Sequence, residues 1–425
     1  MEAPASIVAR LGKNARTAAR AIALVTPAQI DAALNAMADA LLSPQLQMDI
    51  LNGNARDVAA AREKKLTPAL IDRLTLTPER LAKCAAGLRE VAKLPHPVGQ
   101  VLREWTQPNG LKLAKVRVPL GVIGFIYESR PNVTVDAAGL CLKSGNAVIL
   151  RGGSEALHSN LAIAAALSRG LTHAGLPAHA VQLVAITDRD VVRHLGELVG
   201  VIDLLIPRGG KSLIETVVKS ARIPVIKHFD GICAVYVDAA ADPAMAEDII
   251  VNAKVSRPGV CNAAETLLVH QEIAGRALPQ LGAALHARGV QLRAEARAFE
   301  LLQQAGVPAS AATNDDFKTE FLDLILAVKV VDSLAAAVEH IDAHGSHHTD
   351  TIVTADAAAA EQFLAGVDSA VVLWNASTRF NDGHEFGFGA EIGISTDRLH
   401  ARGPMGLEEL TTYKYVVRGS GQVRG

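Results

Sequence analysis

Apolar residues recur with a helical period through the first 94 residues, a segment rich in alanine. Three Thr-Pro pairs punctuate this segment: Thr26-Pro27, Thr67-Pro68 and Thr77-Pro78. Threonine is a good N-cap and proline fits the first helical position, so each pair predicts the start of a helix. Gln29 adds a capping box to Thr26. The pattern therefore predicts a succession of helices over residues 1–100.

The pattern changes to alternation after residue 100. Residues 101–106 and 111–118 are predicted to be strands, and in 111–118 the polar Lys112, Lys115 and Arg117 interleave with apolar residues, as in half-buried strands. Asn109-Gly110 lies between them, and this pair is a strong hairpin signal. The alternation slips by one residue midway, which favours a β-bulge. The segment is predicted to be a β-hairpin.

From Gly121 onward, short apolar strands alternate with longer helical stretches. The first set of predicted strands is 122–126, 147–150, 181–184, 203–206 and 234–237. The second set is 266–269, 327–331, 351–354 and 370–374, and a final strand is predicted at 411–417. Strands separated by helical stretches are typical of βαβ units, so this pattern predicts an α/β fold with a parallel, doubly wound sheet.

Composition narrows the class of protein. The 425 residues are 49% hydrophobic, which is enough for two or three domains with their own cores. A net charge of -2 and 4% aromatic residues give no sign of a nucleic-acid partner. The four cysteines show no CxxC spacing, which argues against a disulfide framework and against a zinc site. Cysteines without disulfides are typical of the reducing cytoplasm. The absence of an apolar signal core and of a run of roughly 18 apolar residues predicts a cytoplasmic protein without a membrane partner.

Three motifs suggest ligand binding but are incomplete. Gly210-Lys211-Ser212 ends like a phosphate-binding P-loop, yet Leu205 replaces the glycine that the motif needs five residues earlier. Gly387-Phe388-Gly389 begins like a dinucleotide fingerprint, but the third glycine, Gly393, comes one place late. A histidine cluster lacks a carboxylate or thiolate at ligand spacing, so we interpret it as a solvated loop after a helix and predict no metal. Its members are His340, His344, His347 and His348.

Residues 253–266 carry the strongest candidate chemistry. Cys261 follows the Pro258-Gly259 turn, has Lys254 and Arg257 nearby, and precedes a predicted buried strand. The thiolate is the nucleophilic form of cysteine, and neighbouring cations lower the pKa of a cysteine. A turn that exposes the sulfur near cations therefore suits covalent catalysis. The residues alone leave a second interpretation open, a buried core cysteine.

Several longer sequence segments, spread over nearly the whole chain, match known proteins in the same order. They are residues 119–132, 143–153, 206–210, 227–231, 252–266, 389–396 and 400–406. Together they resemble the γ-glutamyl phosphate reductases, or glutamate-5-semialdehyde dehydrogenases, a family similar to the aldehyde dehydrogenase superfamily. The resemblance implies an aldehyde dehydrogenase-like α/β fold, with a Rossmann-like cofactor domain, an α/β catalytic domain and a small β oligomerisation element.

The resemblance also implies a division of the chain. Helices of residues 1–100 would pack on an NADP-binding domain of residues 119–235. Residues 236–386 would form the catalytic domain with Cys261, and residues 387–406 would return to the cofactor domain. Residues 101–118 and 407–425 would be oligomerisation strands of a homodimer or homotetramer.

The activity that the resemblance implies is NADPH-dependent reduction of γ-glutamyl phosphate to glutamate-5-semialdehyde and phosphate, the second step of proline biosynthesis from glutamate. Cys261 would attack the acyl phosphate and form a thioester. The Cys261 backbone amide and either Arg130 or Asn132 would stabilise the oxyanion. Arg257 and Lys254 are candidates to bind the substrate, with a solvated role as the alternative for Lys254. Transient contact with glutamate 5-kinase is also implied.

One departure from the aldehyde dehydrogenases concerns the general base. Their Glu-Leu-Gly-Gly segment corresponds to His228-Phe229-Asp230-Gly231, so His228 replaces the glutamate that activates hydrolytic water. A reductase that makes its thioester from an acyl phosphate needs no such water, and losing the base would suppress hydrolysis. His228 would then assist proton transfer or serve a structural role.

The implied cofactor site follows the second strand of the first set. Arg151, Gly152, Gly153 and Ser154 occupy the place where aldehyde dehydrogenases contact the adenosine ribose. Arg151 and Ser154 can reach a 2′-phosphate there, which favours NADPH. Gly209 and Gly210 would lie by the pyrophosphate, at the start of the next helix. Glu320 would lie near the nicotinamide ribose.

Two other functions stay open at this point. One is a hydrolytic or coenzyme A-acylating NAD(P)-dependent aldehyde dehydrogenase, and the missing glutamate weighs against its hydrolytic form. The other is an inactive scaffold that binds nucleotide and oligomerises, and the intact cysteine loop weighs against it.

Overall fold

A computed structural model describes residues 2–424. Within that range the α-helices are α1 (Pro4–Ile22), α2 (Pro27–Leu42), α3 (Pro44–Glu63), α4 (Pro68–Leu74), α5 (Pro78–Lys93), α6 (Asn132–Lys143), α7 (Leu157–His173), α8 (Asp190–Gly196), α9 (Lys211–Ser220), α10 (Pro243–Val255), α11 (Gln271–His286), α12 (Ala296–Gln304), α13 (Leu334–His344) and α14 (Ala357–Gly366). Each of these helices is too short or too polar to pass through a bilayer.

The β-strands in the same range are β1 (Val101–Thr106), β2 (Lys112–Pro119), β3 (Val122–Tyr127), β4 (Ala147–Arg151), β5 (Val181–Leu183), β6 (Leu204–Arg208), β7 (Cys233–Val237), β8 (Ala264–His270), β9 (Gln291–Ala294), β10 (Ser310–Ala311), β11 (Ile325–Val331), β12 (Thr349–Val353), β13 (Val371–Trp374), β14 (Gly393–Ser395), β15 (Gly403–Met405) and β16 (Thr411–Arg418).

The described chain divides into two compact units. The first contains residues up to 227, Phe388–Gly393 and the residues from 405 onward. The second contains His228–Gly387 and Ile394–Pro404. The boundary between the predicted cofactor and catalytic domains was placed at residue 235, whereas the contacts of the structure place it at residue 227.

The Thr-Pro pairs begin helices as predicted. The Thr26 hydroxyl accepts the Gln29 N–H, and Gln29 Oε1 accepts the Thr26 N–H at 3.1 Å, so the capping box is confirmed. Thr67 and Thr77 cap α4 and α5 through their hydroxyls. Helix α2 packs against α5 and α7 and buries Leu34 completely, so these helices belong to the core of the first unit.

The first unit contains a four-stranded parallel sheet in the order β5-β4-β3-β6. Its strands confirm the first four predicted strands. The chain runs outward from β3 to β5 and then returns to the other side of β3, so the direction of strand addition reverses there. In open α/β sheets, ligands bind beyond the carboxyl ends of the strands at such a reversal. The carboxyl ends are Tyr127, Arg151 and Arg208.

The second unit contains a seven-stranded parallel sheet in the order β10-β9-β11-β8-β7-β12-β13. The four strands of the second predicted set lie in it. The strand predicted at 234–237 was assigned to the first set, but it pairs with β8 and β12 and belongs to this sheet. Strands β9 and β10 were not predicted, because they are short and carry exposed positions instead of an apolar run.

A separate antiparallel sheet has the order β1-β2-β16. The terminal strand pairs with β2 from Thr411 opposite Pro119 to Arg418 opposite Lys112, so the hairpin and the terminal strand form one sheet. The register of the hairpin shifts between Val101 and Arg103, so the extra residue lies in β1, whereas the slip that predicted a bulge lies in residues 111–118. Five large apolar or aromatic side chains of this sheet are exposed: Val101, Leu102, Tyr413, Tyr415 and Val417.

Candidate active site

The cysteine loop connects α10 to β8 in the second unit. Asp242 caps α10 by accepting the Ala244 N–H at 3.0 Å, and the helix ends at Val255. The chain turns through residues 256–263 and enters β8, the middle strand of the seven-stranded sheet. Cys261 stands just before this strand and is half-buried, in contrast to the other three cysteines, which are buried. A helix and a central strand therefore fix both ends of the loop.

Asn262 anchors the loop from one side. Its side-chain nitrogen donates to the Asn381 carbonyl at 3.0 Å, and its own carbonyl accepts the Thr378 hydroxyl at 2.7 Å. Its side-chain oxygen accepts a hydrogen bond from the Arg379 guanidinium. Asn262 is 4% exposed, so these bonds are shielded from water. They hold Cys261 in one position before any substrate binds, which lowers the entropic cost of reaction.

Gly231 and Cys233 support the loop from the opposite side. A Cβ atom on Gly231 would lie 2.0 Å from the Cys261 carbonyl oxygen, so this approach requires glycine. The Cys233 thiol donates to the same carbonyl at 3.2 Å. Burial, with a further contribution from Asp350, raises the pKa of Cys233 well above its ordinary value. Cys233 therefore remains a protonated donor and is not a second nucleophile.

Two histidines lie beside the nucleophile. One ligand atom from each of His228, Cys261 and His348 lies within 4.8 Å of the other two. His228 Nδ1 is 3.0 Å from the Ile394 carbonyl oxygen. Because a carbonyl can only accept, the neutral ring of His228 carries its proton on Nδ1 and a lone pair on Nε2. The structure thus places the predicted His228 next to Cys261.

His348 was interpreted as part of a solvated loop, and the structure shows that this interpretation is wrong. Its side chain is completely buried, and Nδ1 lies 2.7 Å from the Thr349 hydroxyl oxygen. That oxygen also accepts the Asn381 side-chain amide at 2.6 Å. His340 of the same cluster is 6% exposed and lies within α13, so it is not solvated either. No local pattern could indicate that His348 lies near Cys261, because the strand order of the second sheet brings the two residues together.

Lys254 does not match the predicted role of substrate ligand. Its ammonium nitrogen lies 2.6 Å from a Glu265 carboxylate oxygen, and both side chains are buried. Burial lowers the pKa of Lys254 and raises the pKa of Glu265, while their mutual attraction opposes both shifts. Opening such a pair leaves a buried charge uncompensated, at a cost of about 3–5 kcal/mol. Lys254 is therefore a structural residue between α10 and β8.

Two arginines remain as cations near the nucleophile. Arg257 is exposed in the cysteine loop, and Arg379 is half-buried beside Asn262. Burial lowers the pKa of Arg379, the Arg257 charge lowers it further, and Cys261 is among the groups that raise it. Arg379 was missed because nothing in the sequence distinguishes it from other surface arginines. Glu320, a predicted cofactor residue, is half-buried near Glu265.

Other predicted cofactor residues lie at the carboxyl edge of the first sheet. Arg151 ends β4, is half-buried, and donates from Nη1 to the Gly152 carbonyl at 3.2 Å. A Cβ atom on Gly152 would lie 2.2 Å from the Asn160 side-chain nitrogen, so crowding requires glycine there. Gly153 and the exposed Ser154 follow directly. This edge offers a guanidinium and a hydroxyl, which fit a phosphorylated ribose.

The Gly209-Gly210 turn is less suited to a pyrophosphate than predicted. Gly210 precedes α9, and its N–H donates to the Glu128 carboxylate at 3.0 Å. A carboxylate at a helix N-terminus satisfies the same amides and dipole that a phosphate would use. The negative charge of Glu128 therefore competes with a pyrophosphate at this turn.

The two candidates for the second oxyanion donor belong to the first unit. Arg130 is exposed in the loop after β3. Asn132 begins α6 and donates from its side chain to Asp136 at 3.1 Å. Cys261 belongs to the second unit. The choice between Arg130 and Asn132 stays a prediction.

A doubly wound sheet, together with a second parallel sheet that carries a half-buried cysteine, is the arrangement expected of an aldehyde dehydrogenase. Residues 2–299 match the aldehyde dehydrogenase family. The chain is 56% identical over 421 residues to the γ-glutamyl phosphate reductase of Opitutus terrae, covering 99% of both chains. It is 57% identical over 413 residues to the γ-glutamyl phosphate reductase of Moorella thermoacetica, covering 97% of both.

A solved structure agrees with these relatives. The crystal structure of γ-glutamyl phosphate reductase from Thermotoga maritima matches with a TM-score of 0.95 at 44% identity, over 98% of this chain and 100% of that chain. The chain therefore belongs to the aldehyde dehydrogenase family and, within it, to the γ-glutamyl phosphate reductases. The predicted fold class and the resemblance are confirmed. Members of the aldehyde dehydrogenase family use NAD or NADP.

Proposed function

We propose that this chain reduces γ-glutamyl phosphate to glutamate-5-semialdehyde and inorganic phosphate with NADPH, the second step of proline biosynthesis from glutamate. The observation that carries the proposal is Cys261, half-buried on a loop that Asn262 and Gly231 hold in place. The name of the 56% and 57% identical relatives supports the choice of substrate.

In the proposed reaction, the Cys261 thiolate attacks the carbonyl carbon of the acyl phosphate. The bond from that carbon to the phosphate oxygen breaks, and phosphate leaves with the electron pair, so a thioester remains. NADPH, held at the edge that Arg151 and Ser154 form, would supply the hydride that reduces the thioester. The resulting hemithioacetal loses its hydroxyl proton and its carbon–sulfur bond breaks, which releases the aldehyde and restores the thiolate. The Cys261 N–H and either Arg130 or Asn132 stabilise the oxyanion.

The substrate carries a phosphate and an α-carboxylate, and both need cations. Arg257 and Arg379 take this role in the proposal, because both lie near Cys261 and the charge of Arg257 already lowers the pKa of Arg379. Two like charges held close together favour a bound anion between them. A guanidinium also pairs with phosphate or carboxylate through two parallel hydrogen bonds.

His228 occupies the place of the hydrolytic base in the proposed site. A thioester intermediate must survive until hydride transfer, so a strong base for water beside it would waste substrate. The Nδ1–H of His228 is bonded to the Ile394 carbonyl, which fixes the ring. In the proposal its Nε2 exchanges a proton with the Cys261 thiol. Because His228 stands where a hydrolytic aldehyde dehydrogenase has a carboxylate base, the site favours the reductase.

The proposed site for the adenosine end of NADPH is the edge formed by Arg151, Gly152, Gly153 and Ser154. Arg151 pairs with the 2′-phosphate that distinguishes NADPH from NADH. Arg151→Ala should therefore raise the KM for NADPH much more than the KM for NADH, in steady-state assays with each cofactor. Equal increases in KM for both cofactors would show that Arg151 does not bind the 2′-phosphate.

The role of Cys261 has a direct test. Cys261→Ser should lower kcat by more than about a thousandfold, because a serine hydroxyl holds its proton far more tightly than a thiol and is the weaker nucleophile. Circular dichroism and NADPH binding should stay as in the wild type, since one oxygen replaces one sulfur on a half-buried side chain. A serine variant with near wild-type turnover would remove Cys261 from the mechanism.

The proposed function also includes an oligomeric state, a cellular compartment and a protein partner. The exposed apolar side chains of the β1-β2-β16 sheet support assembly into a homodimer or homotetramer through this sheet. A biosynthetic enzyme whose four cysteines form no disulfide within residues 2–424 fits the reducing cytoplasm. Because acyl phosphates hydrolyse readily, transient contact with glutamate 5-kinase would protect the substrate during transfer.

A further inference from the structure

Cys261, His228 and His348 form a cluster of potential metal ligands within the second unit. One ligand atom from each residue lies within 4.8 Å of the other two. Around a tetrahedral zinc ion, with bonds of about 2.0–2.3 Å, neighbouring ligand atoms are roughly 3.4–3.6 Å apart. The ligand atoms therefore need to approach one another by at most about 1 Å, which side-chain rotation at the half-buried Cys261 and His228 can provide.

The two imidazoles are oriented as metal ligands usually are. Ligating histidines donate their second ring nitrogen to a carbonyl or another acceptor, which fixes the tautomer and turns the other lone pair to the metal. His228 donates Nδ1–H to the Ile394 carbonyl. The Nδ1 of His348 faces the Thr349 hydroxyl at 2.7 Å, and Asn381 holds that hydroxyl from its other side. Both rings thus have the outer partners of a metal site.

The chemistry of the three ligands selects the metal. One thiolate and two imidazoles suit Zn²⁺, whereas Mg²⁺ and Ca²⁺ need oxygen ligands and near-complete oxygen shells. Three protein ligands leave a fourth position for water or a substrate oxygen. The cluster differs from the histidine pair of α13, His340 and His344, which stack on each other at 4.4 Å, with Phe317 and Lys329 beside His340.

We propose that Cys261, His228 and His348 bind Zn²⁺ and that this binding reversibly inhibits the enzyme. The metal takes the electron pair of the thiolate, so Cys261 can no longer attack an acyl phosphate. Binding releases the thiol proton, and removal of the metal by a chelator restores the nucleophile. The inhibition rests on the proposed function of Cys261, whereas the binding itself does not.

The binding is tested with Co²⁺, which takes the same sites as Zn²⁺ and reports its ligands in its absorption spectrum. The full-length protein, freed of metal and kept reduced under anaerobic conditions, is titrated with Co²⁺ without substrate. The expected result is a one-to-one complex with a thiolate-to-cobalt charge-transfer band and the intense visible bands of four-coordinate cobalt. Zn²⁺ should displace both sets of bands.

Variants assign the ligands. Cys261→Ser should abolish the charge-transfer band, and His228→Ala and His348→Ala should each weaken Co²⁺ binding by roughly a hundredfold or more, since loss of an outer partner alone costs 10–100-fold. His344→Ala is the matched control, because it removes a half-buried histidine of the same unit away from Cys261. It should leave the spectrum and the affinity unchanged.

A second measurement uses only the wild-type protein, because the buried His348 variant can fail to fold. Zn²⁺ should protect Cys261 from iodoacetamide, measured by mass spectrometry of the peptide that contains it, and a chelator should restore alkylation. Mg²⁺ should give no protection. A wild-type protein without the thiolate band, or one whose Cys261 is alkylated equally with and without Zn²⁺, overturns the metal site. A thiolate band that persists in both histidine variants overturns it as well.

The same preparations separate this proposal from the proposed enzymatic function. Stoichiometric Zn²⁺ should abolish reductase activity, and a chelator should restore it. If Cys261→Ser loses the cobalt band but keeps reductase activity, the metal site stands and the proposed nucleophile fails. If Zn²⁺ binds to the three residues without inhibiting the wild type, the regulatory part of the proposal fails.

Discussion

At the scale of single residues, Gly231 decides how closely the backbone can approach the nucleophile. Its missing side chain leaves room for the Cys261 carbonyl, which would lie 2.0 Å from a Cβ atom at this position. The Cα of Cys261 would lie only 2.5 Å from the same atom. Because backbone atoms cannot move aside as a flexible side chain can, any larger residue must displace the cysteine loop.

Gly231→Ala should therefore lower kcat by about a hundredfold, since a displacement of about 1 Å near the reacting atoms costs this much. Steady-state kinetics and thermal unfolding provide the measurement. Gly275→Ala is the matched control, because Gly275 lies in α11 with open space around its Cβ position. The control should keep full activity and gain up to about 1 kcal/mol of stability from helix propensity.

If Gly231→Ala turns over substrate as fast as Gly275→Ala does, the loop does not depend on this close approach.

The residue scale also shows which site residues the sequence alone could not predict. Cys261 was recognised from its own neighbours, because the turn and the cations are local. His348 and Arg379 were not, since their proximity to Cys261 is created only by the strand order of the second sheet and by the bonds of Asn262.

At the scale of elements, local patterns predicted the helices and strands well but not their sheet. The Thr-Pro caps and the Asn-Gly hairpin signal depend on neighbouring residues, and the helix starts and the hairpin that they predicted were confirmed. The strand at 234–237 was recognised as a strand, yet its apolar run is the same in either sheet, so its membership could not be predicted. The buried ion pair of Lys254 and Glu265 could not be predicted either. It joins a helix to a strand, and local sequence patterns do not show which helix packs on which strand.

The terminal strand β16 provides the test at this scale. Deletion of the residues after Glu409 removes the pairing partner of β2 and exposes its edge. The truncated protein should become monomeric or aggregate and lose most activity, although no proposed catalytic residue is removed. Light scattering and turnover measure the two effects. Deletion after Gly419 is the control, because it keeps the whole strand. A soluble, fully active monomer from the longer deletion would contradict assembly through this sheet.

At the scale of the whole molecule, the proposed cofactor residues and the proposed nucleophile belong to different compact units. The edge with Arg151 and Ser154 belongs to the first unit, and the cluster of Cys261 and His228 belongs to the second. The relatives match both units, because they cover 97–99% of the chain. The central claim is that the thioester formed on the second unit exchanges with phosphate and not with water.

The most direct test of that claim is the reaction in reverse. Wild-type protein, glutamate-5-semialdehyde and NADP are mixed with and without inorganic phosphate, and NADPH formation is followed by absorbance. Cys261→Ser gives the background, and coenzyme A replaces phosphate in a third reaction. The account predicts oxidation that depends on phosphate, with the wild type alone active. Sustained oxidation without phosphate, or oxidation that needs coenzyme A instead, would contradict it and indicate a hydrolytic or acylating aldehyde dehydrogenase.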